Sequence, residues 1–375
     1  MTETAAQRLS RLRGSLPPEE PGARGLERVG RNPACQRLRA MTMVGISPST
    51  AVAEIFGDAL QEGQSPFAIL TGNKFEAFLF ESGAARLLDL YRRANRLAPA
   101  ECKVINVEET APEATDLNLH RRAALTRKLL RMKASGDPQA PNLIIKPRIA
   151  VNLIGEGHFV VPDALVASDG ERVYRPVEVK SYPDRAGKTD PADIRSACRQ
   201  AAVGAVAIRQ ELMLQKIGVS YLEQPVCDLI LRQPGSFGAT LRSMPIEGEV
   251  DSLERIINEA PRNIDELEDL LSSIGQGAAL SDSSVLDAIP NNYIPSCREH
   301  CALAKRCKQQ SIASGDPVLI GLRAREVFAA AGSIGRVIEL LDGAGRLPRT
   351  QAEHQLREEL READAVFKEA IGYGA

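Results

Sequence analysis

Tryptophan is absent from this sequence, and aromatic residues make up only 4% of it. So few aromatic rings argue against base stacking as the main means of binding nucleic acid. Long apolar runs are also missing, since none approaches the roughly 18 residues that span a bilayer. The polar start, MTETAAQRLSRLRG, lacks the apolar segment of a secretory signal. We therefore expect a cytoplasmic protein with no membrane contact.

The sequence also lacks an excess of positive or negative charge. It has 47 Lys and Arg and 49 Asp and Glu, which gives a net charge of -2. Any contact with nucleic acid must then come from a local basic patch rather than a global field. The seven cysteines are an odd number, which excludes a complete disulfide framework. With 375 residues, 43% of them hydrophobic, the chain can bury the core of one large domain or two small ones.

The residue pattern divides the chain into an α/β middle flanked by helical extensions. Prolines and glycines without an apolar period predict a flexible segment over 1–30. The expected helices and strands follow from apolar periodicity. We predict helices over 71–97, 112–135, 191–217, 250–290 and 317–375, and strands over 142–154, 158–168, 171–182, 225–232 and 237–244, with the turn Asp169-Gly170 joining the second and third strands.

Two acidic residues of the predicted sheet are candidates for a metal site. Alternation along 171–182 places Glu178 and Lys180 on one face, and Asp163 follows Pro162 in the neighbouring strand. Two nearby carboxylates repel unless a cation lies between them. Oxygen ligands suit Mg²⁺ or Mn²⁺, and an adjacent lysine can stabilise charge or help deprotonate water. This set would serve phosphodiester hydrolysis; the alternative is ordinary surface charge on two strands.

The order of these residues resembles a nuclease signature. Pro162-Asp163, fourteen residues and then Glu178-Val179-Lys180 is similar to the motif of the PD-(D/E)xK nuclease superfamily. The resemblance implies that Asp163 and Glu178 ligate one or two Mg²⁺ or Mn²⁺ ions, that the Val179 carbonyl adds a ligand, and that Lys180 positions water or stabilises charge.

Two further matches resemble RecB-type nucleases within that superfamily. Gly72-x-x-x-Glu76 is similar to their helical first motif, which implies that Glu76 completes the metal shell. Glu76 shares a predicted helical stripe with Phe80, Gly83 and Leu87, where a carboxylate needs a partner. Gln200 is similar to the glutamine that follows the ExK strand in these nucleases. The similarity implies that Gln200 supports the substrate groove. The family usually has a tyrosine four residues later, whereas this chain has Gly204.

The segment SCREHCALAKRCKQQ places three cysteines within eleven residues, namely Cys297, Cys301 and Cys307, and Cys35 is the candidate for a fourth ligand. This distribution resembles the RecB-type iron–sulfur nucleases, which include AddB nuclease domains and CRISPR-associated iron–sulfur exonucleases. It implies a 4Fe–4S cluster. Three residues rather than the family's usual two separate the first two of these C-terminal cysteines. His300 leaves a zinc site with three cysteines open, as well as a cysteine cluster without metal.

A basic stretch over 120–133 is the candidate for contact with phosphates. Arg121, Lys128 and Arg131 group on one side of the expected helix, beside apolar positions. They would track the DNA backbone near the nuclease groove, or they form an ordinary solvated helix face.

The resemblance implies a restriction-endonuclease-like α/β core, a mixed central sheet flanked by helices. We expect an iron–sulfur nuclease domain over 31–310 and a C-terminal helical extension over 311–375. The implied function is a deoxyribonuclease acting in DNA repair or phage defence, with exonuclease or flap-type action on single-stranded ends. The chain has no GxxxxGK[ST] loop, so unwinding would need a helicase or other defence or repair subunit. The alternatives are a catalytically silent scaffold that binds DNA or a helicase, and a restriction-type endonuclease.

Overall fold

A computed structural model describes residues 3–59, 66–97, 102–113, 115–168, 170–185, 187–217, 225–236, 238–343 and 345–372. The chain divides into two compact units, Met1–Pro290 and Asn291–Ala375. The first unit is an α/β structure with a mixed six-stranded sheet, and the second is helical. The division at residue 290 places the cysteine-rich segment in the second unit, whereas the sequence predicted a boundary at 310.

The first unit begins with short helices where a flexible segment was predicted over 1–30. They are α1 (Ala5–Arg13), α2 (Gly22–Arg31), α3 (Gln36–Val44) and α4 (Pro48–Thr50), followed by a π-helical turn over Ala51–Ile55. The prediction is wrong for the described part of 1–30, because Leu12, Leu26 and Val29 are buried. Helices α1, α2 and α3 are each only two to three turns long, so their apolar periods are too short to stand out between the prolines and glycines.

Helix α5 (Pro66–Arg93) covers the predicted helix that carries Glu76, but it is kinked. Backbone φ angles are positive at Ser82, Gly83 and Ala84, which interrupts the helical turn. The predicted stripe from Glu76 to Leu87 therefore does not run along one continuous helix. Apolar residues on both sides of the kink still reach the same core: Phe75, Leu79, Leu87 and Tyr91.

The strands form two sheets. In chain order they are β1 (Val104–Asn106), β2 (Leu143–Ile145), β3 (Ile149–Val151), β4 (His158–Val160), β5 (Ala164–Val166), β6 (Arg175–Pro183), β7 (Val226–Arg232) and β8 (Ala239–Pro245). The larger sheet has the order β1-β2-β5-β6-β7-β8, and β3 pairs with β4 alone. Strand β6 is interior, antiparallel to β5 and parallel to β7. The α/β prediction is confirmed at this level.

Two predicted strands are each divided in the structure, and a proline lies at each division. The stretch 142–154 becomes β2 and β3, separated around Pro147, and 158–168 becomes β4 and β5, separated around Pro162. Proline has no N–H to donate to a sheet ladder, so strands end beside it. Asp169 of the predicted turn lies outside the described residues, and Gly170 has a φ of +85°.

Helices cover both faces of the larger sheet. Val177 and Val179 of β6 pack into a core with α5, whereas α7 (Pro191–Leu214) lies against the other face of this strand. Helix α7 starts at Pro191, capped by the Asp190 carboxylate. The remaining helices of this unit are α6 (Asp116–Ser135), α8 (Glu247–Arg255), α9 (Ile264–Ile274) and α10 (Ser283–Ala288).

The second unit contains α11 (Cys297–His300), α12 (Ala304–Ser314), α13 (Leu322–Val327), α14 (Ile334–Asp342) and α15 (Gln351–Gly372), with a 3-10 turn over Pro317–Ile320. Its helical character agrees with the prediction for this region. Within the described ranges of the whole chain, no helix combines the length and apolarity needed to cross a bilayer.

Candidate active site

Strand pairing places the two predicted catalytic carboxylates side by side. Ala164 of β5 pairs with Val177 of antiparallel β6, so Asp163 precedes one partner and Glu178 follows the other. The Val179 N–H donates a hydrogen bond of 2.9 Å to Asp163 Oδ2. This bond fixes the Asp163 carboxylate against β6 and leaves its other oxygen, Oδ1, to face a cation.

Glu178 and Lys180 lie on the face of β6 opposite its buried valines, as the alternation predicted. Lys180 Nζ is 2.5 Å from Glu178 Oε1 and donates a hydrogen bond of 2.8 Å to Gln200 Oε1 on α7. Gln200 thus lies within reach of the same cluster, held there by the long helix that follows β6. The structure brings Asp163, Glu178, Lys180 and Gln200 together from three elements of the fold.

Glu76 reaches the cluster through a residue that the sequence did not point to. Its carboxylate forms an ion pair with Lys146, and Lys146 Nζ also donates to Asp163 Oδ1 at 3.0 Å. Lys146 directly follows β2, whose last residue, Ile145, pairs with Ala164. The signal that could have found Lys146 is this register, which makes it the neighbour of Asp163.

Burial changes the protonation of this cluster. The apolar surroundings raise the pKa of Glu178 to about 7; Lys180 opposes this rise and the nearby Asp163 carboxylate adds to it. Burial lowers the pKa of Lys146, but the Asp163 and Glu76 carboxylates outweigh it and raise that pKa above its ordinary value. Lys146 therefore carries a positive charge at neutral pH, and the Glu178 carboxyl titrates near neutrality.

The side chains supply oxygen donors of the kind that Mg²⁺ and Mn²⁺ prefer. In the described part of the chain, no three His, Cys, Asp or Glu side chains are arranged to hold a metal ion. The ammonium of Lys146 lies between Glu76 and Asp163, and that of Lys180 lies beside Glu178. The Lys146 ammonium thus already lies between two of the expected ligands, Glu76 and Asp163. The carboxylates that bind this ammonium have the negative charge and the oxygen donors that a bound cation needs.

Gly204 stands where the resembled family carries a tyrosine, and its surroundings explain the difference. A Cβ atom at Gly204 would lie 3.1 Å from Cγ of Pro162 and 3.6 Å from Cβ of Pro176. Helix α7 thus packs closely against the proline that precedes Asp163. A larger side chain at position 204 has no room, so no aromatic ring extends from this position toward the site.

The basic residues predicted to contact DNA lie on α6 and are exposed, namely Arg121, Lys128 and Arg131. Arg131 Nε donates to Gln215 Oε1 at 3.0 Å, and Arg121 donates to Asn118 at 3.4 Å. The opposite side of α6 is held by buried contacts, including a bond of 3.1 Å from the Arg148 N–H to the Thr126 hydroxyl. The three cationic side chains are thus displayed on the outer side of the helix.

Three of the four predicted cluster ligands lie at helix ends. Cys35 caps α3, Cys297 begins α11, Cys301 directly follows α11, and Cys307 lies in α12. Cys35, Cys297 and Cys307 are buried and Cys301 is half-buried. The Cys301 N–H donates to the Cys297 carbonyl at 2.9 Å, which holds these two thiol-bearing residues on one short turn. Cysteine thiolates are the ligands that iron–sulfur clusters and structural zinc ions use.

Comparisons with protein-family models, with curated proteins and with solved structures found no match to this chain. Its function is therefore inferred from its own residues and their geometry.

Proposed function

We propose that this protein is a metal-dependent DNA nuclease with a restriction-endonuclease-like core. The observation that supports this proposal is the convergence of Glu76, Asp163 and Glu178 from three separate segments, next to the Lys180 amine that Gln200 holds. The resemblance of the residue order to PD-(D/E)xK nucleases of the RecB type supports the same reaction. The substrate we propose is single-stranded DNA at ends or flaps, in DNA repair or phage defence.

In this proposal, Glu76, Asp163 and Glu178 hold Mg²⁺ or Mn²⁺, together with the Val179 carbonyl. A divalent ion bound there would polarise the phosphodiester and lower the pKa of the attacking water. The Val179 N–H orients the Asp163 carboxylate by binding Oδ2, so Oδ1 would be the oxygen that ligates the ion. Glu178 must lose its proton to act as a ligand.

Lys180 is the residue we assign to the developing charge on the phosphate or to the attacking water. Its Nζ is fixed by two acceptors, the Glu178 carboxylate at 2.5 Å and the Gln200 amide oxygen at 2.8 Å. An amine that is held before the reaction costs little reorganisation when charge develops. Gln200 is therefore a positioning residue. The exposed arginines and lysine of α6 are proposed to contact DNA phosphates, and a helicase partner would supply unwinding.

The test is cleavage of end-labelled single-stranded and duplex DNA in the presence of Mn²⁺ or Mg²⁺. We expect progressive shortening of the single strand, and a loss of about a thousandfold in Glu178→Gln, because metal ligation supplies several kcal/mol to the transition state. Glu254→Gln is the matched control, since Glu254 on α8 forms a half-exposed ion pair with Arg209 of α7. Unchanged cleavage by Glu178→Gln would mean that the catalytic assignment is wrong. Discrete fragments from long duplex DNA would point instead to a restriction-type endonuclease.

A further inference from the structure

Lys146 lies at the centre of the proposed metal site, although no sequence motif assigns it a role. Its ammonium contacts the carboxylates of Glu76 and Asp163, and the three side chains are 23%, 30% and 18% exposed, respectively. The ring of Phe80 lies 5.9 Å from Nζ and shields the ion pairs on one side. The ammonium thus occupies a partly desolvated position where two anionic groups converge.

The Lys146 backbone is fixed, so only its side chain is able to move. The Lys146 N–H donates to the Asp163 carbonyl at 3.1 Å, and the residue has a φ of +47°, directly before Pro147. A non-glycine residue adopts this conformation only where its surroundings hold it there. Beyond the fixed backbone, the flexible four-carbon stem of lysine can withdraw its charge once the two ion pairs are broken.

A divalent ion and this ammonium compete for the same oxygen. Asp163 has Oδ2 bound to the Val179 N–H and Oδ1 bound to Lys146, so a metal ion that binds Asp163 through Oδ1 meets the ammonium directly. Two cations at contact distance repel strongly in a partly buried site. Occupation by the metal therefore requires the Lys146 side chain to leave.

We propose that Lys146 is an internal cation that fills the metal position in the metal-free protein and is displaced when Mg²⁺ or Mn²⁺ binds. This inference rests on the proposed function. Its consequence is that Lys146 weakens the apparent metal affinity while it stabilises the metal-free fold, because it neutralises the repulsion between Glu76 and Asp163. The metal ion would then bind only at a concentration high enough to displace the Lys146 ammonium from the two carboxylates.

The experiment is calorimetric titration of the full chain with Mn²⁺ at fixed pH and ionic strength. We expect Lys146→Met to bind Mn²⁺ roughly tenfold or more tightly than the wild type, because the competing unit charge is gone. Lys74→Met is the matched control: Lys74 is exposed on the same helix as Glu76, and its loss changes the net charge equally. The control should bind within about threefold of the wild type.

Thermal unfolding gives a second readout that does not depend on cleavage. Metal-free Lys146→Met should unfold at a lower temperature than the wild type, and Mn²⁺ should raise its midpoint by more than it raises that of the wild type. Lys146→Gln, which keeps a polar side chain without charge, replaces Lys146→Met if the latter does not fold, and the same tighter binding is expected.

The outcomes separate this inference from the proposed function. If the wild type binds Mn²⁺ and both Lys146 variants bind it equally or more weakly, the inference is overturned while the metal site stands. If neither the wild type nor Asp163→Asn nor Lys146→Met binds Mn²⁺, the proposed function fails and the inference fails with it.

Discussion

Lys146 and Asp163 are joined twice, once through their backbones at 3.1 Å and once through their side chains at 3.0 Å. The pair lies where β2 ends and β5 begins, so the sheet register itself places a cation against the carboxylate that the PD motif predicts. This pair links the strand pairing of the fold directly to the candidate site. A change in the register of β2 by one residue would turn Lys146 to the other face of the sheet.

We expect the apparent affinity for Mn²⁺ to rise with pH between about 6 and 8. Burial raises the pKa of Glu178 to about 7, and a proton on this carboxyl competes with the metal. Below this pKa, each pH unit should weaken binding up to about tenfold. In the metal-free protein, the raised pKa favours folding below pH 4.5, the ordinary value, and this contribution disappears as the pH rises through about 7.

Calorimetric titration with Mn²⁺ at several pH values measures this dependence. Glu178→Gln should bind weakly and without the pH dependence centred near 7. A variant that retained both the affinity and the pH profile of the wild type would remove Glu178 from the ligand set.

Replacing Asp228 should destabilise the fold without affecting the metal. Asp228 of β7 is fully buried and accepts hydrogen bonds from Tyr91 at 3.0 Å, from Arg96 at 2.8 Å and from the Ser243 hydroxyl. We expect Asp228→Ala to lower the free energy of unfolding by about 3–5 kcal/mol, because the buried polar partners lose their acceptor. Tyr91→Phe, which removes one bond, should cost about 1 kcal/mol.

Urea unfolding measures both variants. Asp228 is held by Tyr91, Arg96 and Ser243, which are not proposed ligands, and Tyr91 is separated from Glu76 by the kink in α5, so Mn²⁺ affinity at a temperature where the variant is folded should equal that of the wild type. A parallel loss of metal binding in the folded variant would mean that the Asp228 network also supports the metal site.

Restoring the tyrosine of the resembled family at position 204 should damage this protein. Pro162 leaves no room for a side chain larger than a methyl group, so Gly204→Tyr should destabilise the fold by about 1–3 kcal/mol or more. Gly204→Ala serves as the comparison, because the contact of its Cβ at 3.1 Å is offset by a gain in helix propensity of about 1 kcal/mol. Chemical denaturation of the two variants checks this; equal stability of Gly204→Tyr and wild type would show that the helix moves away from Pro162.

The cysteines Cys35, Cys297, Cys301 and Cys307 are expected to hold a 4Fe–4S cluster, with zinc as the alternative. Protein purified without oxygen should be brown, absorb at the violet-blue edge of the spectrum and contain iron. Cys35→Ala should bleach this absorption, whereas Cys102→Ala should retain it, because Cys102 lies outside the proposed ligands. Elemental analysis that finds one zinc and no iron would replace the cluster with a zinc site.

The elements around the site were largely predictable because their signals are local. Helix α7 starts at Pro191, where the sequence predicts it, and the alternation of Val177, Glu178 and Val179 identifies the two faces of β6. The proximity of Asp163 and Glu178 was predictable because the two strands next to which they lie are close in sequence. Each of these features depends on residues less than about 20 positions apart.

The features that were missed depend on contacts between distant segments. Lys146 meets Glu76 across 70 positions of the chain, and no periodicity indicates such a meeting. The prolines at 147 and 162 divide strands that the apolar runs alone predict to be continuous. The helices near the N-terminus are held by burial of Leu12 and Leu26 rather than by their own propensity, so their sequence resembles a flexible segment.

Strand β6 pairs with β5 only over Arg175–Val177, whereas its pairing with β7 continues from Val177 to Pro183. Glu178 and Lys180 therefore lie just beyond the end of one ladder and within the other. Local opening begins where pairing ends, so the amide of Val179, which is held by the Asp163 carboxylate, should exchange its hydrogen faster than the amides of the doubly paired part of the strand. Catalytic competence would then be lost by a local event, before the sheet as a whole unfolds.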